Sequence, residues 1–216
     1  MNLICSWSGG KDSCFALMKA INNGNELTVI LNMMNENNKI SRSHGIPKSI
    51  LQQQTKALNT QLVTVASTWN DYENNFIKTL QDLKTKYNAQ AIVFGDIDIE
   101  QHKEWEEKVS DAANLTAILP LWQQDRKQLV YNMIDAGIKA ILVSCNNQLG
   151  KDYLGRLITR ELVDEFESIG VDACGENGEY HTLVIDCPLF NTPIELPKYS
   201  KKNHDNYNFI VWDNYS

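Results

Sequence analysis

The 216-residue sequence has no long basic run, no C-x-x-C pair, no repeat and no low-complexity tract. No stretch approaches the ~18 consecutive apolar residues of a membrane span. The opening Met-Asn-Leu-Ile-Cys has neither the charged start nor the long apolar core of a signal peptide. Its five cysteines are odd in number and scattered. With no secretion signal, reduced thiols in a cytoplasm are expected, and a redox or structural zinc site has little support. The net charge is −7. Gripping a nucleic-acid backbone needs a cationic footprint, so this balance argues against nucleic acid as partner.

Against these absences stands Ser8-Gly9-Gly10-Lys11-Asp12-Ser13, directly after the apolar run Leu3-Ile4-Cys5. Cys14, Leu17, Met18 and Ile21 follow at helical spacing, so the stretch reads as strand, glycine turn and helix start. Adjacent glycines let backbone lie against an anion. Successive N–H groups form a nest, and a helix N-terminus adds free N–H groups and a positive dipole end. Lys11 supplies a full charge. The Walker A pattern fails, because Cys5 and Asp12 stand where it requires Gly and Ser/Thr. The Rossmann G-x-G-x-x-G fails too, because the glycines are adjacent.

Further along, strands and helices alternate. Leu27–Met34 is a near-continuous apolar run, as for a strand covered on both faces. Pro47 suits the start of a helix carrying Ile50, Leu51, Ala57 and Leu58. Short strands are expected at Gln61–Val65, Ala91–Phe94 and Thr116–Leu119. Between them lie a helix with the stripe Tyr72, Phe76, Leu80, Leu83 and Tyr87, and one turning Trp105, Val109 and Ala112 inward. This βαβαβα order predicts a doubly wound α/β domain with a parallel sheet, whose ligands bind at the strand carboxyl ends. The polar residues there include Asn32–Asn35, Thr64–Thr68 and Gly95-Asp96. A boundary is placed at Trp122, giving a first domain of residues 1–122 and a smaller α+β domain of residues 123–216. The second contains a helix from Asp125 to Ala136, whose Asp125-Arg126 reads as an N-cap region. A strand at Lys139–Ser144, a helix through Leu157, Ile158, Leu162 and Phe166, and strands at Leu183–Ile185 and Phe209–Trp212 complete it.

The second motif is Cys174-Gly175-Glu176-Asn177-Gly178-Glu179-Tyr180-His181-Thr182. Two carboxylates and an imidazole within six residues could hold Mg²⁺, act as a general base, bind a cationic substrate, or merely form a solvated acidic loop. His102 and His204 have no companions at ligand spacing and read as exposed. Trp105 reads as core, and Cys145 and Cys174 read as inert thiols.

Residue for residue, Ser8–Ser13 resembles the S-G-G-K-D-S signature of the PP-loop ATP pyrophosphatases, which cleave ATP to AMP and pyrophosphate while adenylating a substrate. Cys174–Thr182, followed by Asp186-Cys187-Pro188-Leu189-Phe190, resembles the hallmark of the diphthine–ammonia ligase family. Ser43-His44-Gly45, Phe94-Gly95-Asp96-Ile97 and Pro120-Leu121-Trp122 are similar to it in the same order. The resemblance runs to about Phe190. It implies an ATP-dependent ligase that adenylates a carboxylate and transfers ammonia to it. ATP would contact Ser8, Gly9, Gly10, Lys11, Asp12, Ser13, Gly95 and Asp96. Mg²⁺ would sit on Asp12 and Asp96. Lys11 and the Gly9 and Gly10 amides would stabilise pyrophosphate. Catalysis would fall to Lys11, Asp12, Glu176, Glu179 and His181. Arg42, His44, Glu176, Glu179, His181 and Thr182 would bind the acceptor. Eukaryotic and archaeal members amidate a modified histidine, diphthine, on elongation factor 2. Ser43-His44-Gly45 and the E-N-G-E-Y-H-T form look like the bacterial branch, where diphthamide is not expected, so a small-molecule carboxylate is the other acceptor. An N-terminal glutaminase would need cysteine where Asn2 stands, so free ammonium or a separate donor is implied. The alternatives are a tRNA thiolation or lysidine enzyme with the same loop, and a non-catalytic ATP-binding protein. A homodimer is expected on general grounds only.

Overall fold

The computed structural model describes residues 1–213. The first half holds five parallel strands, β1 (Asn2–Ser6), β2 (Glu26–Met34), β3 (Leu62–Ala66), β4 (Ala91–Val93) and β5 (Thr116–Ile118), in the order β3-β2-β1-β4-β5. The order reverses between β1 and β4. The crevice at such a switch point is where open α/β sheets bind ligands.

Helices cover both faces. The helices α3 (Tyr72–Tyr87) and α4 (Glu100–Ala112) bury Phe76, Leu80, Leu83 and Val109 against Ile4, Leu31, Ile92 and Phe94. On the other face, α1 (Lys11–Asn22) and α2 (Lys48–Ala57) pack Leu17, Met18, Ile50 and Leu51 against Leu3, Cys5, Ile30 and Val93. Pro47 is the N-cap of α2, where its missing N–H costs nothing. The α4 stripe differs from expectation. Its buried residues are Glu106, Val109 and Ser110, while Ala112 is exposed.

The second half forms an antiparallel sheet of β6 (Lys139–Asn146), β7 (Tyr180–Asp186), β8 (Tyr199–His204) and β9 (Tyr207–Trp212), ordered β7-β6-β9-β8. Two helices accompany it, α5 (Arg126–Asp135) and α6 (Arg160–Ser168). Asp125 caps α5, its side chain accepting from the Gln128 amide. The helix expected from Leu157 instead starts at Arg160, because Thr159 caps it by accepting from the Leu162 amide. Leu157 lies outside, bridging to Ile141. The strand β8 had no counterpart in the sequence reading.

The two halves share one apolar core, in which Leu17 and Ile50 join Leu129, Val163, Leu183 and Ile210. Strand β7 approaches the glycine turn directly, with the Val184 amide donating to the Gly9 carbonyl at 2.9 Å. Gln54 of α2 donates from Nε2 to both the Gly9 and Val184 carbonyls, at 3.0 and 2.8 Å. No helix among the described residues is long and apolar enough to cross a membrane.

Candidate active site

The glycine turn is built by close approach. Gly9 has φ +89°, in the left-handed region that favours glycine. Gly10 has an ordinary φ of −95° and is required for a different reason. A Cβ there would lie 2.5 Å from His44 Cε1 and 3.1 Å from the Thr182 carbonyl oxygen. A Cβ on Gly95 would lie 2.7 Å from the Ser13 amide nitrogen, so the end of β4 rests on the first turn of α1. Ser8 Oγ accepts from the Gly10 amide at 3.2 Å, and Ser13 Oγ donates to the Gly10 carbonyl at 3.1 Å. The Gly10 amide expected to face pyrophosphate is therefore occupied within the turn. Among the described residues, the amides without a partner in the first turn of α1 are those of Asp12 and Ser13.

The second motif clamps this turn from the far half of the chain. Thr182 Oγ1 accepts from the Lys11 amide at 3.1 Å, and the Thr182 carbonyl accepts from His44 Nδ1 at 2.9 Å. Thr182 is 1% exposed and lines the cleft, with its hydroxyl and carbonyl both engaged in positioning the loop. Lys11 Nζ lies 3.0 Å from Asp12 Oδ2 and donates to the Cys174 carbonyl at 2.7 Å, above the Tyr180 ring. Burial is the largest single influence and works to lower the Lys11 pKa, but the charge and hydrogen bond of Asp12, with smaller contributions from Tyr180 and Cys174, together raise it. The ammonium stays charged, with one N–H left for a ligand.

These residues floor a cleft of about 710 Å³. One wall comes from Ser43, His44, Glu176 and His181. The other comes from Tyr72, Gly95, Asp96, His102, Trp105 and Glu106, with Trp69 at 74% exposure on the same lining. The aromatic rings of this second wall, and His102, were missed as site residues. Asp96 lies six residues before His102 across a strand–helix turn, a spacing with no helical signature.

His44 and His181 face each other with ring centroids 4.6 Å apart. Burial pushes their pKa values down to about 4 and about 3, and the Lys11 charge adds to both shifts. Both are neutral at pH 7. A carbonyl only accepts, so His44 carries its proton on Nδ1 and its lone pair on Nε2. Glu176 is pushed up to about 7, first by burial and then by Asp12, the range of a general base working near neutrality. Glu179, expected beside it, does not line the cleft. Its carboxylate accepts from the Asp172 and Asn177 amides and from Asn177 Nδ2, at 3.3, 3.1 and 3.1 Å. It braces the turn whose Gly175 and Gly178 take φ +76° and +84°.

Asp96 accepts from His102 Nδ1 at 2.7 Å. Burial would raise the Asp96 pKa, but hydrogen bonds from His102 and Glu106 lower it overall. Glu106, 3% exposed, is pushed up to about 11 by burial and by Asp96, and is neutral. The bonds from His102 and Glu106 occupy part of the Asp96 carboxylate, and Asp12 Oδ1, buried without a partner, is the freer oxygen for a metal. No group of three or more His, Cys, Asp or Glu gathers around a metal position among the described residues. A Mg²⁺ held by one carboxylate and completed by phosphate oxygens suits such a site.

Arg42 does not reach this cleft. Its guanidinium stacks 4.8 Å from the Trp69 ring centroid, donates to the Ser67 carbonyl and meets Glu36 at 3.3 Å. All five cysteines are unpaired and buried. Burial raises the Cys174 thiol, which donates to the Arg126 carbonyl.

Comparisons with known proteins agree over both halves. The diphthamide synthase N-terminal domain model matches residues 1–117, and the C-terminal domain model matches residues 125–216. The diphthine–ammonia ligase of Mus musculus is 28% identical over 213 residues, spanning 87% of this chain and 79% of its own. The Homo sapiens protein of that name is 26% identical over 214 residues with the same shares. The Schizosaccharomyces pombe protein of that name is 28% identical over 216 residues, 88% of this chain but 35% of its own. A solved Methanocaldococcus jannaschii protein, described as a predicted subunit of tRNA methyltransferase, superposes with TM-score 0.45 at 14% identity, covering 90% of this chain and 100% of its own. Nothing transfers at that level of similarity. Two family models that together take in both motifs show that the chain belongs to the diphthamide synthase family.

Proposed function

We propose that this chain is an ATP-dependent carboxylate–ammonia ligase that forms AMP and pyrophosphate. The observation carrying the reading is the clamp between the two motifs. Lys11 donates to Thr182 Oγ1 and to the Cys174 carbonyl, so the phosphate-binding turn and the acidic turn form one cleft. Residues 1–122 bring the nucleotide-binding turn and His44, and residues 123–216 bring Glu176 and His181 to face the acceptor.

In the first step an acceptor carboxylate oxygen attacks the α-phosphorus, and pyrophosphate leaves with the bonding pair. Lys11 and the first-turn amides of α1 meet the charge that develops on pyrophosphate. Mg²⁺, when bound, neutralises phosphate charge, and Asp12 is the residue to hold it. In the second step the ammonia nitrogen attacks the acyl carbon, and AMP leaves with its bonding pair. Glu176 accepts the proton that nitrogen sheds. His44 and His181, neutral and packed together, present a lone pair or an N–H to the acceptor without adding positive charge.

The thiolation alternative needs a reactive thiolate. Cys174, the cysteine in the cleft lining, is buried and held protonated. Five unpaired cysteines fit a reducing cytoplasm.

Incubation with ATP, Mg²⁺, ammonium and a panel of carboxylates, followed by nucleotide analysis, tests the reading. AMP with pyrophosphate is expected; ADP with phosphate would sink it. Lys11→Ala is expected to lose turnover, and full turnover in that variant would remove the loop from its role.

A further inference from the structure

Behind the cleft, the side chain of Arg126 joins the two halves of the chain. Its Nε and Nη2 donate to the two oxygens of Asp98, both at 2.7 Å, in the forked geometry that fixes a carboxylate plane. Its Nη1 donates to Asp172 Oδ2 at 2.8 Å. Asp98 belongs to the connection between β4 and α4, which brings Asp96 and Ile99 to one wall of the cleft. Asp172 opens the turn that brings Glu176 to the other wall. Among the described residues none of Arg126, Asp98 and Asp172 lines the cleft itself.

Stability alone does not account for this placement. Arg126 is the first residue of α5, at the positive end of the helix, where a cation is unfavourable. The Arg126 and Asp98 side chains are 30% and 32% exposed, and pairs so open to solvent add little to stability. What the pairing does reach is the acidic turn. Asp172 Oδ2, the oxygen that Arg126 holds, also accepts from the Glu176 amide at 2.8 Å, and Asp172 Oδ1 accepts from the Cys174 amide at 3.3 Å. The Arg126 carbonyl accepts from the Cys174 thiol at 3.0 Å. Arg126 thus grips the turn twice, by side chain and by backbone, while its fork is anchored on the loop of the opposite wall.

We propose that Arg126 is a positioning residue, which staples the Asp172 turn to the Asp98 loop and so sets where Glu176 stands across the cleft from Asp96 and Ile99. Lysine is no substitute, since a single ammonium lacks the planar fork that meets both carboxylates at once. That the group so positioned serves the ammonia step rests on the ligase reading; the staple itself does not.

Arg126→Met keeps the apolar stem and removes the fork. Amide hydrogen exchange of the full chain, read by mass spectrometry, is expected to quicken about tenfold or more in the peptide of residues 172–179 and to stay unchanged over β2. In turnover, kcat for AMP formation with ammonium should fall about tenfold or more, while KM for ATP stays within about twofold. Carboxylate-dependent exchange of pyrophosphate into ATP, which needs no ammonia, should fall by no more than about threefold. Arg126→Lys should recover little of the lost kcat. Asp98→Asn breaks the far end of the same staple, so the double variant should be no slower than Arg126→Met alone. Should Arg126→Met fail to fold, Asp98→Asn carries the same exchange and turnover tests. Unchanged exchange in residues 172–179, equal losses in both half-reactions, full recovery by lysine, or additive losses in the double variant would each overturn the proposal. AMP formation by the wild type with no change in Arg126→Met would leave the ligase reading standing and remove this one. No AMP from any carboxylate in the wild type would sink the ligase reading, and the exchange of residues 172–179 would still decide the staple.

Discussion

Replacing Gly10 by alanine isolates one contact. The backbone at Gly10, φ −95°, suits any residue, so the substitution brings no conformational strain. What it brings is a methyl group 2.5 Å from His44 Cε1, nearer than real Cβ contacts come, and 3.1 Å from the Thr182 carbonyl. The His44 ring must move, and with it the 2.9 Å bond from Nδ1 to Thr182. Overpacking costs about 1–3 kcal/mol, and the hydrogen bond about 1 kcal/mol more. For a chain of this size 1 kcal/mol shifts the melting temperature by roughly 2–4 °C, so a fall of about 4–16 °C is expected. His44→Ala makes room for the methyl group. Thermal melts of the wild type, G10A, H44A and the double variant therefore form a cycle. G10A should cost at least about 1 kcal/mol less in the His44→Ala background than in the wild type. Strict additivity, or a G10A melt within a degree of wild type, would refute the claim that His44 rests on the loop.

Three further outcomes follow from the same geometry. Glu179→Gln turns one accepting oxygen into a donor facing the donors of Asp172 and Asn177, so a loss of about 1–3 kcal/mol in urea unfolding is expected. Wild-type stability in that variant would remove Glu179 from its bracing role. Glu176 titrates near 7 in the folded chain against an ordinary 4.5. The folded state thus holds the extra proton between those values, and this residue's contribution to stability declines as pH rises from about 4.5 through about 7. Turnover that needs its ionised form should rise over the upper part of that window, and Glu176→Gln should erase the inflection. Native alkylation at pH 7, read by mass spectrometry, should leave Cys174 unmodified, because it is buried and its thiol stays protonated.

The parallel half was legible because β2 and β4 are covered on both faces and read as near-continuous apolar runs. The antiparallel half was less so. Every residue of β8, Tyr-Ser-Lys-Lys-Asn-His, is exposed, so no alternation marks it as a strand. Leu157 and Ile158 imitated a helical face; Thr159 was the true start signal. In the site, Ser8, Lys11, Asp12, Ser13 and Glu176 line one cleft. Glu179 could not be told from Glu176 in the sequence. Two carboxylates three residues apart diverge here because Gly178 reverses the chain between them. Likewise α4 hid its role, since the residue it buries in the cleft wall is Glu106, which looks like a solvated charge until Asp96 and the aromatic rings surround it.

The bond from Val184 to Gly9 has a consequence for how the protein is made. Both halves of that bond, and of the one from Lys11 to Thr182, lie more than 170 positions apart in the chain. During translation the phosphate turn therefore emerges early and waits, propless, for most of synthesis. Until β7 leaves the ribosome, the Gly9 carbonyl and the Lys11 amide lack their native partners. One strand, β7, thus both props the turn and carries Thr182 and His181 to it, so the cleft takes shape only when the second half of the chain has been made.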